Sequence, residues 1–314
     1  MSIAIIGVLA AIAIPAVQSS RETARNASCK NNLRQVMLGT QSFHNAERSL
    51  PPLFNGTALK YPLAEWDQFH MHSWRVPLLR HMEYGNVREM IDPTKLATDP
   101  ENLPAAQTVV PVFICPSGSD PHDNMGWGLK YDKIESPQPP PEEFRYRVVR
   151  SDYDAIIGIQ NLPDPLPEDA NPNSIDFIRF GVWGWPRFQK NENGGPIKSY
   201  RAGRFRDVAD GLSNTIAVVE RGGKPIEMLN GKPWVTDGNP NADYPGQVGW
   251  SASNYSFWAV NADGVGVNES NSRGIYSLHH GGANVAMADG SVRFLSDSIA
   301  FEELVNLFGR TDGR

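Results

Sequence analysis

Residues 3–17 read IAIIGVLAAIAIPAV, and this apolar run decides how the rest of the chain is arranged. It contains no charged or hydrogen-bonding side chain, and it supplies about two-thirds of the roughly 20 residues that a helix needs to cross a bilayer. A secretory signal peptide would carry a basic segment before the run and a cleavage site after it. Met1-Ser2 is not basic, and the helical pattern continues beyond Val17. We therefore predict that residues 3–20 lie in a membrane.

The helical pattern extends well past the apolar run. After Pro15 the chain continues through residues 21–25 without a turn residue, and Leu50-Pro51-Pro52 should end the helix near Glu47. Three- and four-residue spacing then predicts one apolar face, formed by Cys29, Leu33, Val36, Met37, Thr40 and Phe43. A helix over residues 3–47 would be about 65–70 Å long. We expect an N-terminal helix over residues 1–48 and a β-rich globular domain over residues 49–314.

The remainder of the chain favours β-structure with many turns. It is rich in turn residues, with 28 Gly and 25 Pro in the whole sequence, and aromatic residues make up 10%. Residues 109–114 and 215–220 are predicted strands, and the weaker candidates are 153–159 and 177–183.

The C-terminal region carries the clearest β signal. Alternating runs over 283–288 and 291–295 flank Asp289-Gly290, which predicts a hairpin with a two-residue type I′ turn. Residues 301–308 should form a short final helix. The expected fold class is α+β: a pilin-like long N-terminal helix packed on an antiparallel β-sheet, with long loops and this C-terminal hairpin.

Charge and motifs argue against two classes of function. The net charge of -6 lacks the basic footprint of a nucleic-acid-binding protein. The chain carries no Gly-x-Ser-x-Gly elbow, no His-Glu-x-x-His pair and no phosphate loop, so we do not expect an enzyme. His279-His280 could supply a base or a metal ligand. Because Gly281-Gly282 follows, we favour a structural histidine at the start of the hairpin.

One acidic and amide-rich segment suggests a cation site. Asp237, Asn239, Asn241 and Asp243 place oxygen side chains at alternate positions, as a calcium loop does at its start. Ala242 stands where an EF-hand needs glycine, and Val248 stands where it needs glutamate. The spacing therefore excludes an EF-hand and favours an Asx-rich turn. Calcium in an irregular loop remains the alternative, and we expect no other cofactor.

Four segments of the chain, in order, resemble a large planctomycete-type family of prepilin-like proteins of unknown function. The first is the run IAIIGVLAAIAIPAVQSSRETARNASCKNNLRQ. Phe113-Ile114-Cys115-Pro116-Ser117 is similar to the family's Cys-Pro-Ser segment. Asp210-Gly211-Leu212-Ser213-Asn214-Thr215, with Glu220 beyond it, is similar to an Asp-Gly-x-Ser-Asn-Thr segment. His279 and Asp289-Gly290 match the family's His-x9-Asp-Gly signature.

This resemblance implies a structural role, as a type IV pilin-like or type II secretion pseudopilin-like protein, or as a protein displayed on the cell surface. It implies a single pass through the inner membrane, with the globular domain in the periplasm or outside the cell. The partners would be like subunits, packed through the N-terminal helix, and the membrane itself. The motif residues would be structural: Asp210, Gly211, Ser213, Asn214, Thr215, His279, Asp289 and Gly290.

A membrane-tethered module that binds a glycan or another solute is the alternative function. Trp183-Gly184-Trp185 and residues 250–258 could form a platform on which a sugar stacks. Aromatic residues in a β-rich body more often belong to the core. Exposed tryptophans lining one groove would favour the binding module, whereas buried tryptophans would favour the filament protein.

The chain has two cysteines, and an exported protein could oxidise them. Cys29 belongs to the apolar face of the predicted helix, and Cys115 follows the predicted strand 109–114. We expect both to face the core and to form a disulfide that holds the helix on the sheet. The alternative is a pair of unrelated buried thiols.

Overall fold

The computed structural model describes residues 2–55, 57–58, 72–95, 97, 99–118, 125–129, 145–156, 158–160, 178–183, 187–189, 197–200, 203–223, 228–229, 232–233, 249–251, 260–261, 266–271 and 274–308. The fold is α+β. A long N-terminal helix and a short C-terminal helix lie on opposite faces of a four-stranded antiparallel sheet.

Helix α1 spans Ser2–Glu47, continues through Pro15, and confirms the single long helix predicted from the sequence. Its 46 residues give a length of about 69 Å. The helix ends where Arg48 adopts a left-handed φ of 57°, and the Arg48 N–H donates to the carbonyl of His44 over 2.8 Å. Pro51 and Pro52 follow, so the chain cannot return to the helix.

The environment of α1 changes along its length. Near the N-terminus its large apolar side chains are between 49% and 69% exposed, namely Ile5, Ile6, Leu9, Ile12, Ile14 and Val17. Further along, the predicted apolar face is completely buried at Cys29, Leu33, Val36, Met37 and Thr40. The helix therefore buries its apolar face against the globular body in its second half.

The central sheet has the strand order β16-β15-β11-β6, and all its neighbours are antiparallel. The strands are β6 (Tyr153–Ala155), β11 (Ile216–Glu220), β15 (Gly282–Met287) and β16 (Val292–Ser296). In β15 the side chains alternate, because successive residues of a strand point to opposite faces. Ala286 joins the cluster that contains the α1 face, whereas Val285 joins the cluster under helix α5 (Phe301–Asn306). Both faces are therefore covered, which explains why all of β15 is buried.

The C-terminal hairpin is present, but its turn differs from the prediction. Gly290 has a φ of 91°, whereas the φ of Asp289 is not positive. Gly290 N–H donates to the Met287 carbonyl over 2.9 Å, and Met287 N–H donates to the Ser291 carbonyl over 2.8 Å. This pattern is a three-residue loop that ends in a left-handed glycine, so the two-residue type I′ turn was wrong. The Asp289 carboxylate accepts the Ser291 N–H over 2.8 Å and stabilises this turn.

Three of the other predicted elements need correction. Residues 109–114 are not a strand, because Pro111–Phe113 form a 3-10 helix. Pro111 has no N–H for a strand ladder, and its fixed φ suits the first position of a helix. The described residues of 153–159 divide into β6 and a separate strand, Gly158–Gln160, and those of 177–183 keep only Ile178–Phe180 in strand conformation. The strand predicted over 215–220 and the final helix are present as β11 and α5.

The other described elements are short and surround the central sheet. The helices are α2 (Arg75–Leu78), α3 (Gly85–Glu89) and α4 (Leu103–Ala106), with further 3-10 turns at Leu79–His81 and Phe205–Asp207. The strands are β1 (Phe54–Asn55), β2 (Thr57–Ala58), β3 (His72–Ser73), β4 (Met125–Leu129), β5 (Arg145–Val149), β7 (Gly158–Gln160), β8 (Ile178–Phe180), β9 (Arg187–Gln189), β10 (Ile197–Tyr200), β12 (Met228–Leu229), β13 (Lys232–Pro233) and β14 (Val260–Asn261). They pair as small sheets β1-β3, β2-β10-β9, β12-β13, β14-β7-β8 and β4-β5.

Candidate functional site

A group of chemically active side chains lies where the middle of α1 meets the central sheet. One ligand-type atom from each of Cys29, Cys115, Glu220 and His279 lies within 4.8 Å of the others. We call these four residues the Cys–His–Glu cluster. Cys29 lies on α1, Cys115 follows the 3-10 turn Pro111–Phe113, Glu220 ends β11 and His279 precedes β15. All four residues are buried.

The two cysteines of the cluster form a disulfide. Their sulfur atoms are 2.09 Å apart and their Cα atoms 5.2 Å apart, which is within the range that a disulfide can bridge. Cys29 lies on the buried face of α1, and Cys115 follows the 3-10 turn that packs against α1. The bond therefore ties the long helix covalently to the globular body.

His279 links the helix to the sheet through both ring nitrogens. Its Nδ1 lies 2.7 Å from Glu22 Oε1 on α1, and its Nε2 lies 3.4 Å from Glu220 Oε1 on β11. Burial by itself would lower the pKa of His279, but hydrogen bonds and negative charge from Glu220 and Glu22 outweigh it. The pKa of His279 therefore lies above its ordinary value of 6.5, and the folded protein favours the charged ring.

Polar contacts from other residues hold the two glutamates in place. Ser117 Oγ donates to Glu22 Oε1 over 2.9 Å. Asn284 donates to both carboxylate oxygens of Glu220, from its backbone N–H over 2.6 Å and from Nδ2 over 3.1 Å. Asn284 Nδ2 also lies 3.2 Å from Asn26 Oδ1, so a third α1 side chain contacts the sheet here. Both glutamates are thus oriented by fixed donors.

Buried ion pairs surround the start of β6. Arg150 contacts the Asp152 carboxylate at 2.7 Å, and Arg75 contacts the Asp154 carboxylate at 2.8 Å. Asp152 Oδ2 also accepts the backbone N–H of Cys115 over 2.9 Å, which fixes one half of the disulfide. Buried ion pairs contribute little net stability, but losing one partner is costly because the other charge stays buried. The pairs therefore define the geometry around Cys115.

A small pocket opens beside the cluster. Cys115 and Glu220 lie in its wall, together with Ser117, Asp152 and Tyr276. Its cavity volume is about 10 Å³, which is room for about one water molecule. Pockets for drug-sized ligands usually measure about 300–1,000 Å³, so this one suits water or a small ion better than a sugar.

The two Asp-Gly motifs lie side by side in the fold. Asp289 N–H donates to the Leu212 carbonyl over 3.1 Å, and Ala288 N–H donates to the Thr215 carbonyl over 2.9 Å. Within the first motif, Gly211 has a φ of 93°, and Asn214 Nδ2 donates to the Asp210 carbonyl over 3.2 Å. Arg293 donates to the carbonyl of Ser213 over 2.8 Å. These residues form two turns that are hydrogen-bonded to each other at one end of the central sheet.

His279 stands at the opposite end of β15 from these turns. The strand spans Gly282–Met287, so His279 precedes it and Asp289-Gly290 follow it. A six-residue strand is about 20 Å long. The nine residues between His279 and Asp289 therefore contain one strand, β15, which connects the Cys–His–Glu cluster to the hairpin turn.

The remaining predicted sites divide into two groups. The calcium-loop residues Asp237, Asn239, Asn241 and Asp243 lie outside the described residues. Of the candidate sugar platform, Trp183 and Trp250 are buried in the core beside α1, as is Trp74, whereas Gly184-Trp185 and residues 252–258 lie outside the described residues. Trp183 and Trp250 donate their indole N–H groups to the carbonyls of Ala217 and Thr108.

The sequence prediction did not assign Glu22 or Asn284 to the site, and it noted Glu220 only as part of a motif. One signal was present for the helix. Glu22, Asn26, Cys29 and Leu33 follow one another at spacings of four, three and four residues, so the face that contacts the body extends to Glu22. No local pattern connects this face with Glu220 or Asn284, because their proximity depends on how the chain folds.

Comparison with known proteins places the chain in a family. No curated protein matches it, and neither does any solved structure. The family described as "Protein of unknown function (DUF1559)" matches residues 18–302, a span that contains the whole Cys–His–Glu cluster and Glu22. Because the match covers most of its length, the chain belongs to this family of unknown function.

Proposed function

We propose that this protein is a membrane-anchored, pilin-like structural protein, whose N-terminal helix packs with like subunits in a filament, a secretion apparatus or the cell envelope. The observation that carries the proposal is the change of environment along α1. Leu9 is 62% exposed within an apolar run, whereas Leu33 on the same helix is completely buried in the body. An apolar surface of this kind is stable in lipid or against other apolar helices, but costly in water.

The length and composition of α1 support the anchor. It is the one helix among the described residues that is long and apolar enough to cross a membrane. Its apolar 18-residue window has a mean hydropathy of 1.2, and none of that window is buried in the protein. A signal sequence near an N-terminus would show the same features, so the anchor needs a direct test.

The attachment of α1 to the body supports a structural role. A filament transmits lateral force from the helices to the globular domains, so the junction has to resist separation. Here Glu22, Asn26 and Cys29 each contact the body directly, and the Cys29 contact is covalent. A disulfide is also typical of exported domains, which fits an inner-membrane anchor with the body in the periplasm or outside the cell.

The three tryptophans whose burial the structure describes favour this proposal over a glycan-binding module. A sugar-stacking platform needs exposed aromatic faces, and Trp74, Trp183 and Trp250 are each at most 1% exposed. The pocket beside Cys115 is also smaller than a typical ligand site. We therefore retain a filament or envelope protein as the proposed function.

The anchor is tested by comparing two identical substitutions on one helix. Leu9→Arg places a charge in the apolar run, whereas Leu38→Arg changes a side chain that is 63% exposed, close to the 62% of Leu9. A central arginine costs about 2.5–3.5 kcal/mol in membrane insertion, or roughly two orders of magnitude in partition. We expect Leu9→Arg to move the full chain out of the alkali-resistant membrane fraction and Leu38→Arg to leave it there.

The same preparation separates an anchor from a signal sequence. The intact mass of the membrane-extracted chain should include residues 3–20. A mature N-terminus beyond Val17, or a full-length chain that is soluble without detergent, would contradict the anchor.

Packing between subunits is tested at Gly7. A Cβ atom added there meets nothing within 4 Å in this chain, so Gly7→Leu should not disturb the monomer. Small residues let transmembrane helices approach closely, so the larger side chain should reduce self-association in membranes. Chemical cross-linking of membranes measures this, and Gly85→Leu, at another glycine with open space, serves as the control. Equal cross-linking of the wild type and both variants would contradict packing through this face.

A further inference from the structure

We propose that the Cys–His–Glu cluster binds one Zn²⁺ ion when its disulfide is reduced. The site would use the Cys29 and Cys115 thiolates, His279 Nε2 and a Glu220 carboxylate oxygen. The inference is independent of whether the protein forms filaments.

The positions of the ligand atoms already approach those of a tetrahedral zinc site. Zinc bonds of about 2.0–2.3 Å place neighbouring ligand atoms about 3.3–3.8 Å apart. His279 Nε2 lies 3.6 Å from Cys115 Sγ and 3.4 Å from Glu220 Oε1. The two sulfurs are closer together than zinc ligands can be, because they are bonded. Breaking that bond lets the sulfurs separate to the distance that zinc requires.

The orientation of His279 matches that of a metal ligand. In most protein zinc sites the histidine binds metal through one ring nitrogen and donates the other N–H to a carboxylate or carbonyl. Here Nε2 faces the cluster, while Nδ1 lies 2.7 Å from Glu22 Oε1. Glu22 would therefore fix the ring with its proton on Nδ1 and its Nε2 lone pair directed at the metal.

The supporting contacts of Glu220 point the same way. Two donors from Asn284 fix its carboxylate, so the ligand oxygen is held before a metal arrives. All four ligands are at most 5% exposed, as in a closed structural zinc site. Cys115 and Glu220 also lie in the wall of the small pocket, so two of the four ligands border a space that can hold about one water molecule.

The chemical step is balanced by a dithiol reductant. The reductant gives two electrons and two protons to the Cys29–Cys115 bond, and its own two thiols become a disulfide. Zn²⁺ then displaces the two new thiol protons, which leave to solvent together with any proton on His279 Nε2. Two thiolates and one carboxylate then surround the divalent ion, and the neutral imidazole completes the site. Zinc and the disulfide thus exclude each other, and a reducing environment before export would favour the zinc form.

The test measures zinc on the full chain in detergent. One sample keeps its disulfide, and the other is reduced with a phosphine, which is removed under anaerobic conditions before Zn²⁺ is added. After gel filtration, elemental analysis should find one zinc per reduced chain and only background zinc in the oxidised chain. Co²⁺ in place of Zn²⁺ should give thiolate-to-cobalt charge transfer and the absorption of a tetrahedral site.

Matched variants locate the ion. His279→Gln should lose the zinc, whereas His280→Gln, at the neighbouring exposed histidine, should retain it. Glu22→Gln should weaken zinc affinity by about 10–100-fold, as loss of a residue that orients a ligand does. If the reduced chain unfolds, zinc should restore its far-ultraviolet circular dichroism. The proposal is overturned if the reduced chain binds no zinc, if the oxidised chain or His279→Gln binds it equally, or if zinc fails to refold an unfolded reduced chain.

Discussion

The Cys29–Cys115 disulfide offers the most direct test of how α1 is held on the body. Replacing both cysteines with alanine removes the bond without leaving a free thiol. The bond joins residues 86 positions apart. Closing a loop of that length lowers the entropy of the unfolded chain, which raises its free energy by about 4–5 kcal/mol. Each substitution also removes a buried sulfur, which acts in the same direction. We expect the double variant to lose at least about 4–5 kcal/mol of unfolding free energy.

The assay is urea unfolding of the full chain in detergent, with a metal chelator present. Tryptophan fluorescence is a suitable signal because Trp74, Trp183 and Trp250 are buried beside the disulfide-linked helix. Reduction of the wild-type chain under the same conditions should give nearly the same loss, since it removes the same loop constraint. Ser28→Ala, next to Cys29 on the exposed side of α1, is the control and should change little.

Two results would refute this reasoning. If the double variant unfolds within about 1 kcal/mol of the wild type, the loop constraint does not contribute as the chain-entropy account requires. If two free thiols titrate in the untreated exported protein, the bond does not form in its native setting.

Three further predictions concern the hairpin, the cluster and a close backbone contact at Gly203. Gly290→Val should cost about 1–2 kcal/mol of unfolding free energy, because Gly290 has a φ of 91° and a β-branched residue is strained there. Glu22→Gln should destabilise the disulfide-bonded protein most at about pH 6 and progressively less at higher pH. Gly203→Ala should lower the midpoint of thermal unfolding, since an added Cβ would lie 2.2 Å from the Val182 carbonyl oxygen.

The sign of the pH dependence follows from His279. Its pKa is raised in the folded state, so the stability that it contributes is fully present below its ordinary value of 6.5. That contribution is lost as the pH rises through the folded pKa, because the ring then loses its charge. Glu22→Gln removes one of the two carboxylates that raise the pKa, so the difference between variant and wild type should shrink at high pH. A difference that is constant from pH 6 to 9 would contradict this interpretation.

Controls are available for the two glycine substitutions. Asparagine tolerates the left-handed region better than valine, so Gly290→Asn should cost clearly less than Gly290→Val. Equal costs would mean that strain at positive φ is not the cause. Gly281→Ala separates backbone strain from steric clash, since Gly281 also has positive φ but an added Cβ there meets nothing within 4 Å. For Gly203→Ala, an unchanged midpoint would contradict the close backbone approach.

The sequence alone was enough to predict the features that depend on local patterns. The spacing of apolar residues identified α1 and its end near Glu47, and the alternating runs around Asp289-Gly290 identified the hairpin. These signals are local because helix and strand periods are properties of neighbouring residues. Local patterns also failed where one residue changed the outcome. Pro111 converted an apparent strand into a 3-10 turn, and a third loop residue replaced the expected type I′ turn.

Only the tertiary structure decided the composition of the site. The sequence predicted that Cys29 and Cys115 meet, but nothing in the local patterns places Glu220 and His279 beside them. They converge because the face of α1 that contacts the body extends to Glu22 and covers the end of β15, where His279 lies, while β11 runs alongside β15 and brings Glu220 there. The stripe of apolar residues predicted that α1 packs on a sheet. Which polar groups that packing would bury together depended on strand order and register, which no local period encodes.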